Sequence, residues 1–271
     1  MILPGDLVLL ISPKGKRYLH KFEPAGSVHS HDGRIMMAEI AAAGYGRAVR
    51  THLGLSYLVL RPTIHDLITH ARRQGQIMFP KEIGYLLLKM GIGPGSSVIE
   101  CGTGSGGLTL ALAWYVGETG RVLSYDRREE FQAVAKKNLD RVGLTGRVEF
   151  VARDINEGFV HADADALFLD VRTPWEYLAH VPAAVKPGAM LGFLLPTTNQ
   201  VSELLRGLDA GPFDGIEVLE ILIRHYKPVA ERLRPADRMI AHTGFLVFAR
   251  HMLDPLPRPK PEAEPESEPE G

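Results

Sequence analysis

The sequence predicts an α/β fold, a Rossmann-like domain of alternating strands and helices preceded by a small β-rich N-terminal domain. Three observations predict it. Residues 98–109 read Val-Ile-Glu-Cys-Gly-Thr-Gly-Ser-Gly-Gly-Leu-Thr, an apolar run that passes through an acid and a glycine cluster into a helix-forming segment. From residue 97 to residue 208, short apolar runs alternate with segments of helical period, the pattern of a doubly wound parallel sheet. Before residue 62 the apolar runs are short and alternate with turn residues instead.

The chain has 271 residues, enough for one large α/β domain and a smaller module. Residues 1–62 are expected to form the β-rich domain and residues 63–253 the α/β domain, with residues 63–96 supplying its leading helices. Asp254–Gly271 holds six prolines, six acidic side chains and two basic ones, and is expected to be a disordered acidic tail. A net charge of −1 therefore hides a mildly basic body, which fits a polyanionic partner without requiring one. Cys101 is the single cysteine, so no intrachain disulfide or four-cysteine zinc site can form. No signal peptide or membrane-length apolar run is visible, and the expected compartment is the cytoplasm.

In chain order, residues 6–11 and 17–22 flank Ser12-Pro13-Lys14-Gly15 and predict a hairpin. Residues 48–52 and 56–60 predict two more strands around Gly54. His29 and His31 stand two apart with no further ligand nearby, so no metal is expected. Thr63 is a candidate N-cap for a helix carrying Ile64, Leu67 and Ile68. Gln76-Ile77-Met78-Phe79-Pro80 is an extended linker, because Pro80 disfavours helix at Phe79. A helix over 81–90 follows. Beyond the glycines the pattern predicts a helix over 108–116, a strand over 121–125, a helix over 129–142, and strands over 148–152, 166–169 and 189–195. A helix over 198–208 and two late antiparallel strands over 216–223 and 243–250 complete it.

Gly102, Gly104, Gly106 and Gly107 let a ligand approach the main chain closely, which makes the turn a cofactor site. Gly102, Gly104 and Gly107 also satisfy the G-x-G-x-x-G spacing of dinucleotide sites. Glu100 tilts the balance, because a carboxylate two residues before the first glycine suits a cationic amino group and repels a pyrophosphate. That favours S-adenosyl-L-methionine, which has an ammonium and a sulfonium but no phosphate. Asp126, Asp154 and Asp170 follow three successive strands, so all three are expected to reach the same crevice at the carboxyl edge of the sheet. Asp126 is placed to accept from ribose hydroxyls. Phe131 is a candidate to pack on an adenine or a core aromatic, and Asp154 a candidate for the adenine amino group or a helix cap.

The segments Gln76–Lys81, Val98–Thr109, Ser124-Tyr125-Asp126, Leu169-Asp170 with Pro174-Trp175, Pro196 with Gln200, and His242–Leu246 together resemble the S-adenosylmethionine-dependent tRNA (adenine-58-N1) methyltransferases of the homotetrameric type. The resemblance runs from the first hairpin to about His251. It implies a class I methyltransferase domain, a homotetramer and a tRNA substrate. It implies further that Met78, Glu100, Gly102, Thr103, Gly104, Ser105, Gly106, Gly107, Leu108, Asp126, Phe131, Asp154, Ile155 and Asp170 form the cofactor site, with Asp170 as the catalytic aspartate. Phe79, Trp175, Gln200 and His242 are the implied substrate side, Phe79 standing where relatives often have tyrosine. Asp170 would accept a hydrogen bond from the exocyclic amino group of the target adenine as N1 gains charge. Lys14, Lys16, Arg17, Arg72, Arg73 and Arg224 are candidate phosphate contacts. Other readings of the same glycines are a dinucleotide-dependent oxidoreductase, a methyltransferase for a protein or small molecule, and a non-catalytic tRNA-binding subunit.

Overall fold

A computed structural model describes residues 1–75 and 77–256, so Gln76 and most of the acidic tail lie outside the described residues. Strands β1 (Leu7–Ile11) and β2 (Arg17–Lys21) form the expected hairpin, with Leu9 opposite Leu19. A second hairpin, β3 (Ser27–Ser30) with β4 (Gly33–Met36), leads into helix α1 (Met37–Ala43); the sequence reading anticipated neither. With β5 (Arg47–Arg50) and β6 (Ser56–Leu60), the first strands make a four-stranded antiparallel sheet in the order β2-β1-β6-β5. Its core gathers Val8, Leu10, Phe22, Ile35, Ile40, Tyr57 and Val59. The histidines are used locally, His29 meeting Ser27 Oγ at 2.9 Å and His31 meeting Asp32 at 3.1 Å.

Thr63 caps helix α2 (Ile64–Thr69) by accepting from the Asp66 amide, and Asp66 in turn holds Arg17 of β2 at 2.7 Å. The linker runs on to α3 (Pro80–Lys89), which starts on proline at the position where a missing N–H has no consequence. Strand β7 (Ser97–Cys101) then enters the centre of a seven-stranded sheet. Around it stand α4 (Gly107–Tyr115), β8 (Arg121–Asp126), α5 (Glu129–Val142), β9 (Val148–Ala152), β10 (Ala164–Leu169), the short α6 (Val181–Ala184), β11 (Val185–Leu195) and α7 (Thr198–Asp209). Strand β12 (Phe213–Leu219) stops four residues before the expected end. Residues 220–244 leave the sheet and carry a two-residue pairing of β13 (Tyr226–Lys227) with β14 (Arg234–Pro235) around a single 3-10 turn, Ala230–Arg232, before β15 (Phe245–His251) returns.

The sheet order is β12-β15-β11-β10-β7-β8-β9, with β15 antiparallel to both neighbours. Strands buried on both faces need apolar side chains at every position, and period two then distributes them between two cores. In β7, Val98 joins the core beneath α3, α4 and α5, while Ile99 and Cys101 join the core beneath α6 and α7. Strand β10 alternates likewise, Ala166 and Phe168 against Leu167 and Leu169. Glu100 and Ser124 are registered neighbours on the α4 side, which places a carboxyl in an apolar layer. Leu7 and Leu19 pack on that same core, docking the N-terminal sheet against it. No helix among the described residues is long and apolar enough to cross a membrane.

Candidate active site

The parallel strands end together, and backbone bonds tie their exits. Gly102 N–H donates to the Tyr125 carbonyl at 2.8 Å, and Asp170 N–H donates to the Cys101 carbonyl at 2.9 Å. The approach is close enough that a Cβ on Gly102, whose φ is +94°, would lie 2.3 Å from the Asp170 carbonyl oxygen. Only glycine permits both that φ and that contact. Gly106, at φ +80°, starts α4, and a Cβ there would lie 2.7 Å from the Ala135 methyl. The tight turn is therefore set by strand-to-strand and helix-to-helix packing as well as by any ligand.

A crevice of about 450 Å³ opens above these exits, within the size range of small-molecule sites. Cys101 and Gly102 lie on its floor, Asp126, Asp154 and Ile155 on one side, and Asp170, Thr173 and Tyr177 on the other. Asp126 Oδ2 accepts from Gly104 N–H at 3.3 Å, and its Oδ1 accepts from Arg128 N–H at 3.0 Å. Asp154 caps a short helical turn by accepting from Asn156 N–H at 3.0 Å and faces Arg127 at 3.8 Å.

Glu100 is enclosed behind the turn. Thr109 Oγ1 and Ser124 Oγ each donate to its Oε2 at 2.7 Å, and Thr103 Oγ1 lies 2.7 Å from Ser124 Oγ. Burial raises the carboxyl to about 8; the two hydroxyls oppose the shift, and the charges of Asp170 and Asp126 add to it. Asp170 is open to water through the crevice, yet the surrounding protein crowds it, and this desolvation raises its carboxyl to about 6. Carboxyls that hold their protons because of burial and one another ionise more readily when a cation is brought among them. These carboxyls fit a ligand with positive groups and hydroxyls, while Arg127, Arg128, Arg153 and Arg172 also line the crevice.

The linker is pinned over the turn. Gln74 N–H donates to Ser105 Oγ at 2.8 Å, and buried Asn138 Nδ2 donates to the carbonyls of Arg72 and Ser105, both at 2.9 Å. Asn138 Oδ1 accepts from Arg72 N–H at 2.9 Å. One amide thus joins α5, the glycine turn and the linker.

Residues 56–238 match the family described as the tRNA methyltransferase complex GCD14 subunit. The chain belongs to this family. Among curated relatives, the tRNA (adenine(58)-N(1))-methyltransferase TrmI of Thermus thermophilus is 37% identical over 92% of this chain and 98% of its own. A Methanocaldococcus jannaschii relative, named as a tRNA (adenine(57)-N(1)/adenine(58)-N(1))-methyltransferase, is 31% identical over 92% of this chain and 96% of its own. The crystal structure of the Aquifex aeolicus tRNA (m1A58) methyltransferase TrmI superposes with a TM-score of 0.80 at 37% identity, covering 92% and 97% of the two chains. A Thermotoga maritima structure described as a SAM-dependent O-methyltransferase gives 0.88 at 41% identity, covering 94% and 96%.

Of the residues anticipated for this GCD14-family site, the fold brings Gly102, Asp126, Asp154, Ile155 and Asp170 to one crevice. Others lie elsewhere. Met78 is buried in the core beneath α3 and α4, because its apolar side chain follows that layer. Phe131 has the Arg128 guanidinium 3.9 Å from its ring centre and lies against Gly75; its neighbour Gln132 takes the inward position on α5 and donates to the Val151 carbonyl at 3.0 Å. Trp175 packs on the core beneath α7, and Tyr177, two residues on, lines the crevice instead. Phe79 borders a separate depression of about 400 Å³ with Arg73, Gly75 and Ile77. Gln200 acts behind the crevice, donating to the Arg172 carbonyl at 3.0 Å. Both ring nitrogens of His242 face acceptors, Glu220 at 2.9 Å and the Pro196 carbonyl at 3.0 Å, and these contacts raise its pKa. Sequence reasoning missed Arg127, Arg128, Arg153, Arg172 and Tyr177 in the lining. The arginines had a usable signal, since each stands one or two residues beyond a strand end or an adjoining acid; Tyr177 had none.

Proposed function

We propose that this chain transfers a methyl group from S-adenosyl-L-methionine to N1 of adenine 58 in the T-loop of tRNA, giving 1-methyladenosine. The observation that carries the reading is the place of Asp170, at the β10 exit tied to the glycine turn and lining the crevice of a chain in this family. S-adenosylmethionine supplies an electrophilic methyl on a sulfonium when bound. The chain's own residues supply the rest. The glycine turn leaves room for the methionine part, with the Glu100 carboxyl behind it as the candidate for a cationic group. Asp126 takes ribose hydroxyls, and Asp154 with Ile155 takes the adenine. Ionised Asp170 accepts a hydrogen bond from the exocyclic amino group of the target base, stabilises the charge that appears as N1 forms its bond, and can remove the proton.

N1 lies on the Watson–Crick edge, so the base must leave any paired arrangement to react. Phe79 and Tyr177 are the aromatic candidates to receive it. The protein is further proposed to act as a homotetramer in the cytoplasm, with residues 1–62 and 63–253 as its two domains. Support for self-association comes from residues 220–244, where Leu222, Ile223, Tyr226, Leu233 and Ile240 are exposed together. The test is transfer of labelled methyl from S-adenosylmethionine to unmodified tRNA, followed by digestion and mass analysis of the fragments. Label in 1-methyladenosine at position 58 is expected, and label at 57 would extend the assignment. Cofactor binding with no label in tRNA would overturn the substrate.

A further inference from the structure

A second cleft, of about 420 Å³, lies between the N-terminal sheet and the C-terminal ends of α4 and α5. Helix α5 begins beside the crevice and runs 14 residues, so its far end stands roughly 20 Å away. The cleft is therefore distinct from the reaction site. One wall carries Tyr45, with the Arg61 guanidinium 5.0 Å from its ring centre, and the other carries Trp114, 45% exposed near the end of α4. Lys21 borders the same space. Neither Lys21 nor Arg61 has an ion-pair partner among the described residues. The cleft's two acids are engaged locally, Asp6 accepting from Leu3 N–H at 2.9 Å and Asp140 from Thr145 Oγ1 at 2.5 Å.

The exposed Trp114 ring beside cations that have no ion-pair partner among the described residues offers what a single-stranded nucleotide requires, a ring to stack its base and a charge for its phosphate. A guanidinium already laid on a tyrosine adds a second stacking plane. The cleft is also connected to the active crevice by positive charge. Arg141 lines the cleft half-buried, donating to the Leu19 carbonyl; burial lowers its pKa, and the charge of Arg72, held against Asn138 one turn earlier on α5, adds to that. Arg73 follows on the linker and borders the Phe79 depression.

We propose that this cleft is a second RNA contact, taking a nucleotide of the substrate tRNA remote from the methylated adenine, with its base on Trp114 or the Tyr45–Arg61 stack and its phosphate on Lys21. The proposal rests on the tRNA reading above. Arg73 adjoins Arg72, whose charge reaches Arg141, and Arg141 shares the cleft with Lys21, so cations link the Phe79 depression to the cleft.

The test uses the full-length protein with Trp114→Ala, Arg61→Ser and Lys21→Ser, measuring tRNA affinity, kcat, S-adenosylmethionine affinity and oligomeric mass. Loss of one stacked base is expected to weaken tRNA binding by about tenfold in Trp114→Ala, with kcat and cofactor affinity unchanged. Arg61→Ser is expected to show the same split and a shallower salt dependence. In a Trp175→Phe background, where Trp114 is the sole tryptophan, its emission is expected to be quenched by tRNA and not by cofactor. Wild-type protein that binds tRNA while all three variants bind equally well would overturn the cleft alone. A change of oligomeric mass in the variants would make the cleft a subunit contact and overturn it too. Wild-type protein that binds no tRNA would remove the substrate reading itself.

Discussion

Replacing Gly102 with alanine sets a methyl carbon 2.3 Å from the Asp170 carbonyl oxygen, where ordinary contact begins at 3.4 Å. About an ångström of separation must come from the β7 exit or from the β10 exit that carries Asp170. The residue also sits at φ +94°, a conformation that costs an L-residue roughly 1–2 kcal/mol. Overpacking against backbone adds about 1–3 kcal/mol, because a carbonyl cannot rotate away as a side chain can. The combined loss is then about 2–5 kcal/mol, or roughly 10 °C in Tm for a chain of this size. Gly104 is the internal control. Its φ is +50°, and the nearest atom to an added Cβ is 3.9 Å away, so alanine there should cost about 1 kcal/mol. Thermal unfolding and calorimetric titration with S-adenosylmethionine compare the two. Gly102→Ala is expected to lose stability and at least tenfold in affinity, since the shift moves Asp170. Equal behaviour of the two variants, within about 0.5 kcal/mol, would refute the reasoning.

Further outcomes concern the groups behind the turn. With Glu100 raised to about 8, the folded chain holds a proton that the unfolded chain releases, so stability falls as pH rises from about 5 to 8, by up to ~1.4 kcal/mol per unit. Glu100→Gln should flatten that slope in urea unfolding measured across the window; an unchanged slope would show that the carboxyl is already ionised. Binding of a cationic cofactor should draw Glu100 toward its ionised form and release a proton, read as a binding enthalpy that varies with the buffer's ionisation enthalpy. Asn138→Ala removes the three bonds that join α5 to the linker and the glycine turn. It should speed proteolysis near residues 72–75 and raise KM for cofactor, with little change in global Tm; wild-type cleavage would remove the tie from the account.

The strength of local pattern decided what could be read from the chain alone. Helix α5 and strand β9 begin and end where the sequence reading put them, because each is bounded by turn residues and has a single unambiguous period. Strand β12 was read too long, since Leu222 and Ile223 look like strand interior, and nothing local says that the chain leaves the sheet at Glu220. The hairpin β3–β4 and helix α1 were missed for the opposite reason: Ser27–Ser30 is polar and Met37–Ala43 is short and alanine-rich. In the site, the acids at strand ends were legible because the parallel topology forces them to one edge. Met78, Phe131 and Trp175 were not, because a side chain's direction at a helix start or in a loop depends on packing partners far away in sequence. Glu100 lies between these cases: its position was legible, while its enclosure by Thr109 and Ser124 required the register of β7 with β8.

In the proposed reaction the Asp170 carboxylate receives the amino hydrogen of the target adenine. The most direct measurement is the pH profile of kcat/KM for methyl transfer to unmodified tRNA, in wild type and in Asp170→Asn. The ionised form is the acceptor, so wild-type activity should fall as pH drops through about 6, where the carboxyl takes up its proton. Asp170→Asn should lose about 10²–10⁴-fold and show no such limb, while still binding cofactor. An asparagine variant that retains activity with the same profile would contradict the account.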